Sequence, residues 1–193
     1  ATYTTTADGS SPIGTYTIVP VLQDPDGKLV NYIVFTNNGT LTVDRRTASV
    51  AANAKVKTYG EDNPALDAAV TGTVNGDTLA YTLGTAAEKF SGVGPHAITV
   101  SLGSNPNYDV SKTDSTLTVG AKTASVVASA KSKTYGDVNP ALTAVVTGAV
   151  VGGDAINYTL GTAATQFSSV AGGPYAITVT LGSNPNYDVT KTD

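Results

Sequence analysis

The chain has one imidazole, His96, and imidazole is the commonest general base near neutral pH. Tyr175 and Tyr16 hold the matching places elsewhere in the chain, so the position reads as a half-buried strand site rather than a catalytic one. Serine nucleophiles need a base partner, and one histidine cannot serve them throughout. The chain has no cysteine, which removes thiolate metal sites, cysteine nucleophiles and internal thioesters. Asp24-Pro25-Asp26-Gly27 opens like a calcium loop but lacks the third ligand position and the distal glutamate. Its simpler reading is a β-turn fixed by Pro and Gly. A structural calcium ion between modules, held by Asp44 or Asp114, is the one metal role left open; no other cofactor is expected.

Lys57 and Lys133 occupy matched places and would suit an intramolecular Lys–Asn isopeptide bond, but no partner can be named for either. Tyr59-Gly60 and Tyr135-Gly136 allow two readings. An exposed aromatic face would stack on sugars. A tyrosine at the edge of a core would instead tie its hydroxyl to backbone, beside a glycine at positive φ. The structural reading is preferred, for these pairs and equally for Asn107-Tyr108 and Asn186-Tyr187.

The elements that must position these residues are read from composition and repetition. Charged residues make up 13% of the chain, about half the usual share, while Thr, Val, Ala, Gly and Asn dominate. β-Branched residues favour strands, and Gly, Asn and Pro favour the turns between them. A net charge of −4 argues against nucleic acid as a partner. Scattered Lys and Arg, with no long apolar run, argue against membrane insertion.

Self-similarity is the strongest signal. Thr47-Ala48-Ser49-Val50 recurs as Thr123-Ala124-Ser125-Val126, a spacing of 76. Lys57-Thr58-Tyr59-Gly60 recurs as Lys133-Thr134-Tyr135-Gly136, and Asn63-Pro64-Ala65-Leu66 as Asn139-Pro140-Ala141-Leu142. By Asn107-Tyr108 and Asn186-Tyr187 the spacing has grown to 79 through insertions in Gly-rich stretches, where loops tolerate added length. Gly39-Thr40-Leu41-Thr42-Val43 matches Ser115-Thr116-Leu117-Thr118-Val119. Three modules follow: the back part of a first over 1–46, a complete second over 47–122, and a third over 123–193 that stops before its last strand.

Period-two alternation marks strands at His96, Ile98, Val100 and Leu102, and at their counterparts Tyr175, Ile177, Val179 and Leu181. Leu79, Tyr81 and Leu83 form another, matched by Ile156, Tyr158 and Leu160. Roughly six or seven short strands in about 75 residues fit a small β-sandwich, Ig-like in architecture, repeated along an elongated array. A β-grasp module, with one helix over a sheet, is the alternative. Ala51–Ala54 carries a weak helical signal.

With those residues in view, the modules resemble the MBG family of the YGX type. The resemblance rests on Lys-Thr-Tyr-Gly followed by Asn-Pro-Ala-Leu, on Thr71-Gly72 before Asn75-Gly76-Asp77, and on Val93-Gly94-Pro95-His96-Ala97-Ile98-Thr99. It continues through Asn107-Tyr108 to a terminal Thr-Leu-Thr-Val. The third module departs from the pattern only by loop insertions, at Val151-Gly152-Gly153-Asp154 and Ala171-Gly172-Gly173. The resemblance implies bacterial adhesins and other large extracellular surface proteins, with no catalytic residues to transfer. The expected role is a structural stalk or spacer whose partners are further modules of the same polypeptide. One alternative is a filament subunit completed by strand exchange with identical neighbouring chains. Another is a module binding surface glycans or host matrix, for which the inserted Val19–Lys28 stretch is the one candidate.

Overall fold

The computed structural model describes residues 1–193 and is built of strands, turns and two three-residue 3-10 turns. Over the first module run β1 (Thr2–Thr4), β2 (Gly14–Val21) and β3 (Gly39–Val43). The second has β4 (Arg46–Ala52), β5 (Lys55–Thr58), β6 (Ala68–Thr71), β7 (Tyr81–Thr85), β8 (Gly94–Leu102), β9 (Tyr108–Thr113) and β10 (Ser115–Gly120). The third has β11 (Lys122–Ala128), β12 (Ala144–Thr147), β13 (Tyr158–Thr162), β14 (Ile177–Leu181) and β15 (Tyr187–Thr192). With no helix longer than a 3-10 turn the chain is all-β, and tandem sandwich-like modules describe it better than a β-grasp. The alanine-rich stretch after Val50 continues β4 as far as Ala52, because its β-branched neighbours pair across to β6.

Residue contacts divide the chain into two units that do not follow the sequence repeat. Unit one comprises 1–52, 67–84 and 99–114; unit two comprises 53–66, 85–98 and 115–193. In unit one, β4 lies between β6 (antiparallel, Val50 opposite Val70) and β9 (parallel, Ala48 opposite Val110). The inward faces supply a core of Ala48, Val50, Leu79, Val100 and Tyr108, with Tyr81 and Leu83 packed against it. A second sheet of order β1-β2-β3 is antiparallel throughout.

Unit two repeats the plan with β12-β11-β15 and the hairpin β13–β14. Its core contains Ala124, Val126, Ile156, Val179 and Tyr187, the counterparts of the five core residues of unit one. Two more residues join it from the preceding repeat, Tyr59 and Val119. Val126 and Val179 are fully buried. Burying each such side chain stabilises the fold by about 1.5–3 kcal/mol.

Candidate functional site

Tyr59 directly follows β5 and is 1% exposed, packed in one core with Val119 of its own repeat and with Ala124, Val126, Ile156, Val179 and Tyr187 of the next. Its ring meets Tyr187 edge-on at 5.4 Å and 73°, and lies 6.3 Å from Phe90. Its hydroxyl accepts a hydrogen bond from the Asp154 backbone N–H at 3.0 Å. Tyr187 holds the same loop from the other side, accepting from the Val150 N–H (3.1 Å) and donating to the Asp154 carbonyl (2.9 Å). Two phenols, one from each repeat, therefore fix one loop. Gly153, in the loop insertion of the third repeat, lies against Tyr59; a Cβ there would fall 3.1 Å from the phenol oxygen.

Gly60 has φ 84°, in the left-handed region, and a Cβ on it would approach Val150 Cγ1 to 2.6 Å. Glycine is needed here both for the turn and for close approach to the next repeat. Asn186 completes the joint: its Oδ1 accepts from the Val93 N–H (2.9 Å) and its Nδ2 donates to Asp154 Oδ2 (2.6 Å). Lys57, 7% exposed, donates from Nζ to the carbonyls of Glu61 and Glu88, and so steadies the turn that carries Phe90. Asn63, followed by Pro64, donates from Nδ2 to the Ala87 carbonyl in the same loop.

In unit one the corresponding residues hold a lighter joint. Asn107 Oδ1 accepts from the Ile13 N–H at 3.2 Å. Tyr108 donates to Asp77 Oδ2 at 2.7 Å and accepts from the Val74 N–H at 3.1 Å. No tyrosine plays the part of Tyr59, because residues 1–46 contain no Tyr-Gly. The hydrogen bond that the Tyr108 phenol donates to the Asp77 carboxylate raises its pKa above the ordinary value of 10.0, against a smaller opposing contribution from the Val74 N–H. A phenol pKa raised on folding contributes stability that is fully present below pH 10 and lost as pH climbs through the folded value. Spectrophotometric alkaline titration should lose a late-ionising contribution when Tyr108 is replaced (Tyr108→Phe), and the same variant should flatten the alkaline fall in stability.

The third repeat presents the same motif uncovered. Tyr135 is 62% exposed, yet Tyr135 and Phe167 stand 6.3 Å apart at 60°, close to the Tyr59–Phe90 pair. Gly136 keeps φ 93° with open space around it, Asn139 donates to the Ala164 carbonyl (2.6 Å), and Pro140 is exposed. The residues singled out by sequence thus form one assembled joint around Tyr59, Gly60, Asn186 and Tyr187. A lighter joint forms at Asn107 and Tyr108, and an open half-joint at Tyr135 and Gly136. A tyrosine as buried as Tyr59 has no face left for a sugar.

The remaining candidates have local partners. His96 Nε2 lies 2.8 Å from the Gly92 carbonyl, as the hydroxyls of Tyr16 and Tyr175 lie 2.8 Å from those of Pro12 and Ser169. The two oxygens of Asp24 accept from the Lys28 and Leu29 N–H groups, both at 2.8 Å, within a turn whose Gly27 has φ 64°. Sequence reasoning did not single out Asn105 and Asn184. Each closes its loop by accepting from one N–H at 2.7 Å and donating to the same residue's carbonyl at 3.1 Å, at Ala80 and Asn157 respectively. The repeated Ser-Asn-Pro-Asn-Tyr was the signal that could have found them.

An all-β tandem array whose joints are built from structural side chains, with a core drawn from two repeats, defines a repeat-module protein. The chain belongs to the MBG domain family of the YGX type, matched over residues 48–118 and 124–193. That family is a structural module that recurs in surface proteins. Comparison with curated proteins and with solved structures gave no match.

Proposed function

We propose that this chain is a spacer segment of an extracellular adhesin or surface fibre, in which each repeat is locked to the next so that the array holds another domain away from the cell. The observation that carries this reading is the burial of Tyr59 and Val119 in the core of the following repeat. A spacer must resist bending at its joints, and a joint inside a hydrophobic core resists better than a flexible linker does. Only Ala121 separates β10 from β11, so little chain is free to swivel. No helix is long and apolar enough to cross a membrane, and the family's occurrence in surface proteins favours an extracellular place.

The test is electron microscopy of arrays carrying increasing numbers of the 76-residue repeat. Contour length should grow by an equal step per added repeat, with few sharp bends. Compact particles, or chains bent freely at every boundary, would remove the spacer reading. Retention of the chain on a glycan or matrix array would favour a binding module instead.

A further inference from the structure

Exposed strand edges are treated in two ways in this fold. In the second repeat β10 begins opposite Ile98 of β8, so Val100 lies beyond the reach of that ladder, and side chains take its backbone groups instead. Asp114 Oδ1 accepts from the Val100 N–H and Lys112 Nζ donates to the Val100 carbonyl, both at 2.7 Å. Asp193 and Lys191 cap Val179 of β14 in the same way, both at 2.6 Å. Charged caps of this kind blunt an edge against pairing with another chain. β12 is an edge of the sheet β12-β11-β15, and no side chain caps it.

The phase of the β11–β12 ladder shows which groups are left open. The Ser129 N–H donates to the Thr143 carbonyl at 2.8 Å, and bonded residues alternate along an antiparallel pair. Thr143, Val145 and Thr147 therefore bond toward β11. Ala144 and Val146 turn their N–H and C=O groups outward, while their side chains pack on the core. The chemistry of this edge differs from that of its counterpart, β6. Residues 138–153 include no charged side chain, whereas β6 follows Asp67, which stands where the third repeat has Thr143. On the solvent face β6 sets Ala69 opposite Ala51, and β12 sets Val145 opposite Val127. Val145 is 58% exposed and Val127 40%. In the second repeat β6 is an edge too, with all the strands β4 to β10 in place, so the open side belongs to the module itself.

We propose that β12 pairs with β12 of a second copy of this chain, antiparallel about a two-fold axis at Val145. Three features together select that occupant. The strand carries no charge to repel its own copy, its outward groups complement themselves on reversal, and its exposed valines match an apolar partner. In this register Ala144 lies opposite Val146 of the second copy, and Val146 opposite its Ala144, each pair exchanging both N–H···O=C bonds. Val145 meets Val145 of the second copy in a non-bonded pair, the kind in which side chains come closest. The solvent face then carries an unbroken row of valines, Val127 and Val145 from each chain, across one continuous sheet. A contact of this symmetry closes at two chains. The same register at β6 would bring Asp67 beside Thr71 and leave only alanines in the row, which reserves the pairing for the third repeat. The pairing does not rest on the spacer reading, since it ties two chains side by side whatever they carry.

The experiment follows the molar mass of the 193-residue chain by light scattering as concentration rises, with amide exchange at Ala144 and Val146 in the same solutions. Mass should climb from monomer to dimer, and both amides should slow by at least about tenfold at the concentrated end. Val145→Asp, which sets two carboxylates face to face at a surface position, should leave a monomer with unchanged circular dichroism. Val145→Cys, in a chain otherwise free of cysteine, should give a disulfide-linked dimer on mild oxidation, because directly opposed residues stand within disulfide reach. Val127→Cys, one strand further in on each side, should not. A monomer at every concentration up to about 1 mM would overturn the proposal. A dimer that survives Val145→Asp, or that leaves the two amides exchanging freely, would place the contact elsewhere and overturn it equally. Slowing of those amides by the peptide Thr-Val-Thr-Val-Thr-Val as strongly as by the chain itself would overturn the choice of a second copy as occupant.

Discussion

Tyr59→Ala should destabilise the protein by about 3–5 kcal/mol, the range for deleting a fully buried aromatic ring, while Tyr135→Ala should change stability by less than about 0.5 kcal/mol. The two residues sit in the same tetrapeptide, Lys-Thr-Tyr-Gly, with an aromatic neighbour at the same 6.3 Å. They differ in what lies beyond them. Tyr59 gives its ring to Tyr187 and its hydroxyl to the Asp154 N–H, and removing it leaves both a cavity and an unpaired amide. Tyr135, at 62% exposure, loses little that water does not replace. Urea unfolding followed by circular dichroism measures both variants against the parent. Tyr59→Phe separates the contributions, since it keeps the ring and should cost only the hydrogen bond, about 0.5–1.5 kcal/mol. Similar losses for Tyr59→Ala and Tyr135→Ala would mean that the joint contributes nothing to stability.

Gly72→Ala is expected to cost about 2–5 kcal/mol, by a different route. Gly72 follows β6 with φ 84°, which charges an alanine about 1–2 kcal/mol for the left-handed conformation alone. A Cβ would also stand 2.6 Å from the Thr47 carbonyl oxygen and 2.9 Å from Ala48 Cα, and backbone atoms in a sheet cannot turn aside. Overpacking of that kind adds about 1–3 kcal/mol. Gly136→Ala is the control: φ is 93°, but nothing lies within 4 Å, so only the conformational cost should appear. Thermal unfolding of both variants decides it, and matched losses would show that β6 yields to relieve the contact.

Both expectations depend on what the sequence displayed and what it hid. The strands were legible where one face is buried: alternation at His96, Ile98, Val100 and Leu102 became β8, whose Ile98 and Val100 are fully buried and set the inward face. The alternation misled at Tyr175, whose counterpart pairs with β10. There the segment is irregular up to Ile177, where β14 begins. The parallel pairings of β4 with β9 and of β5 with β10 were not legible, because residues some sixty positions apart leave no local mark of partnership. The Tyr-Gly motif showed its importance by recurring and its turn by the glycine. Its partner remained hidden: Tyr59 and Asp154 are 95 residues apart, and an identical tetrapeptide stands open to solvent at Tyr135.

The offset between the sequence repeat and the packed unit bears on how such arrays change length over generations. Unequal recombination between near-identical coding stretches removes or duplicates one period, and the breakpoint can fall anywhere within it. The assembled joint sets the Tyr-Gly of one repeat against a loop from the next, as Tyr59 meets Asp154. Excising a whole period of 76–79 residues brings an equivalent loop opposite the surviving Tyr-Gly, wherever the cut was made. Losing a fraction of a period instead strands a tyrosine without its loop or a loop without its tyrosine. Selection acting on foldability alone would therefore count these proteins in integers, leaving reach free to drift by whole repeats.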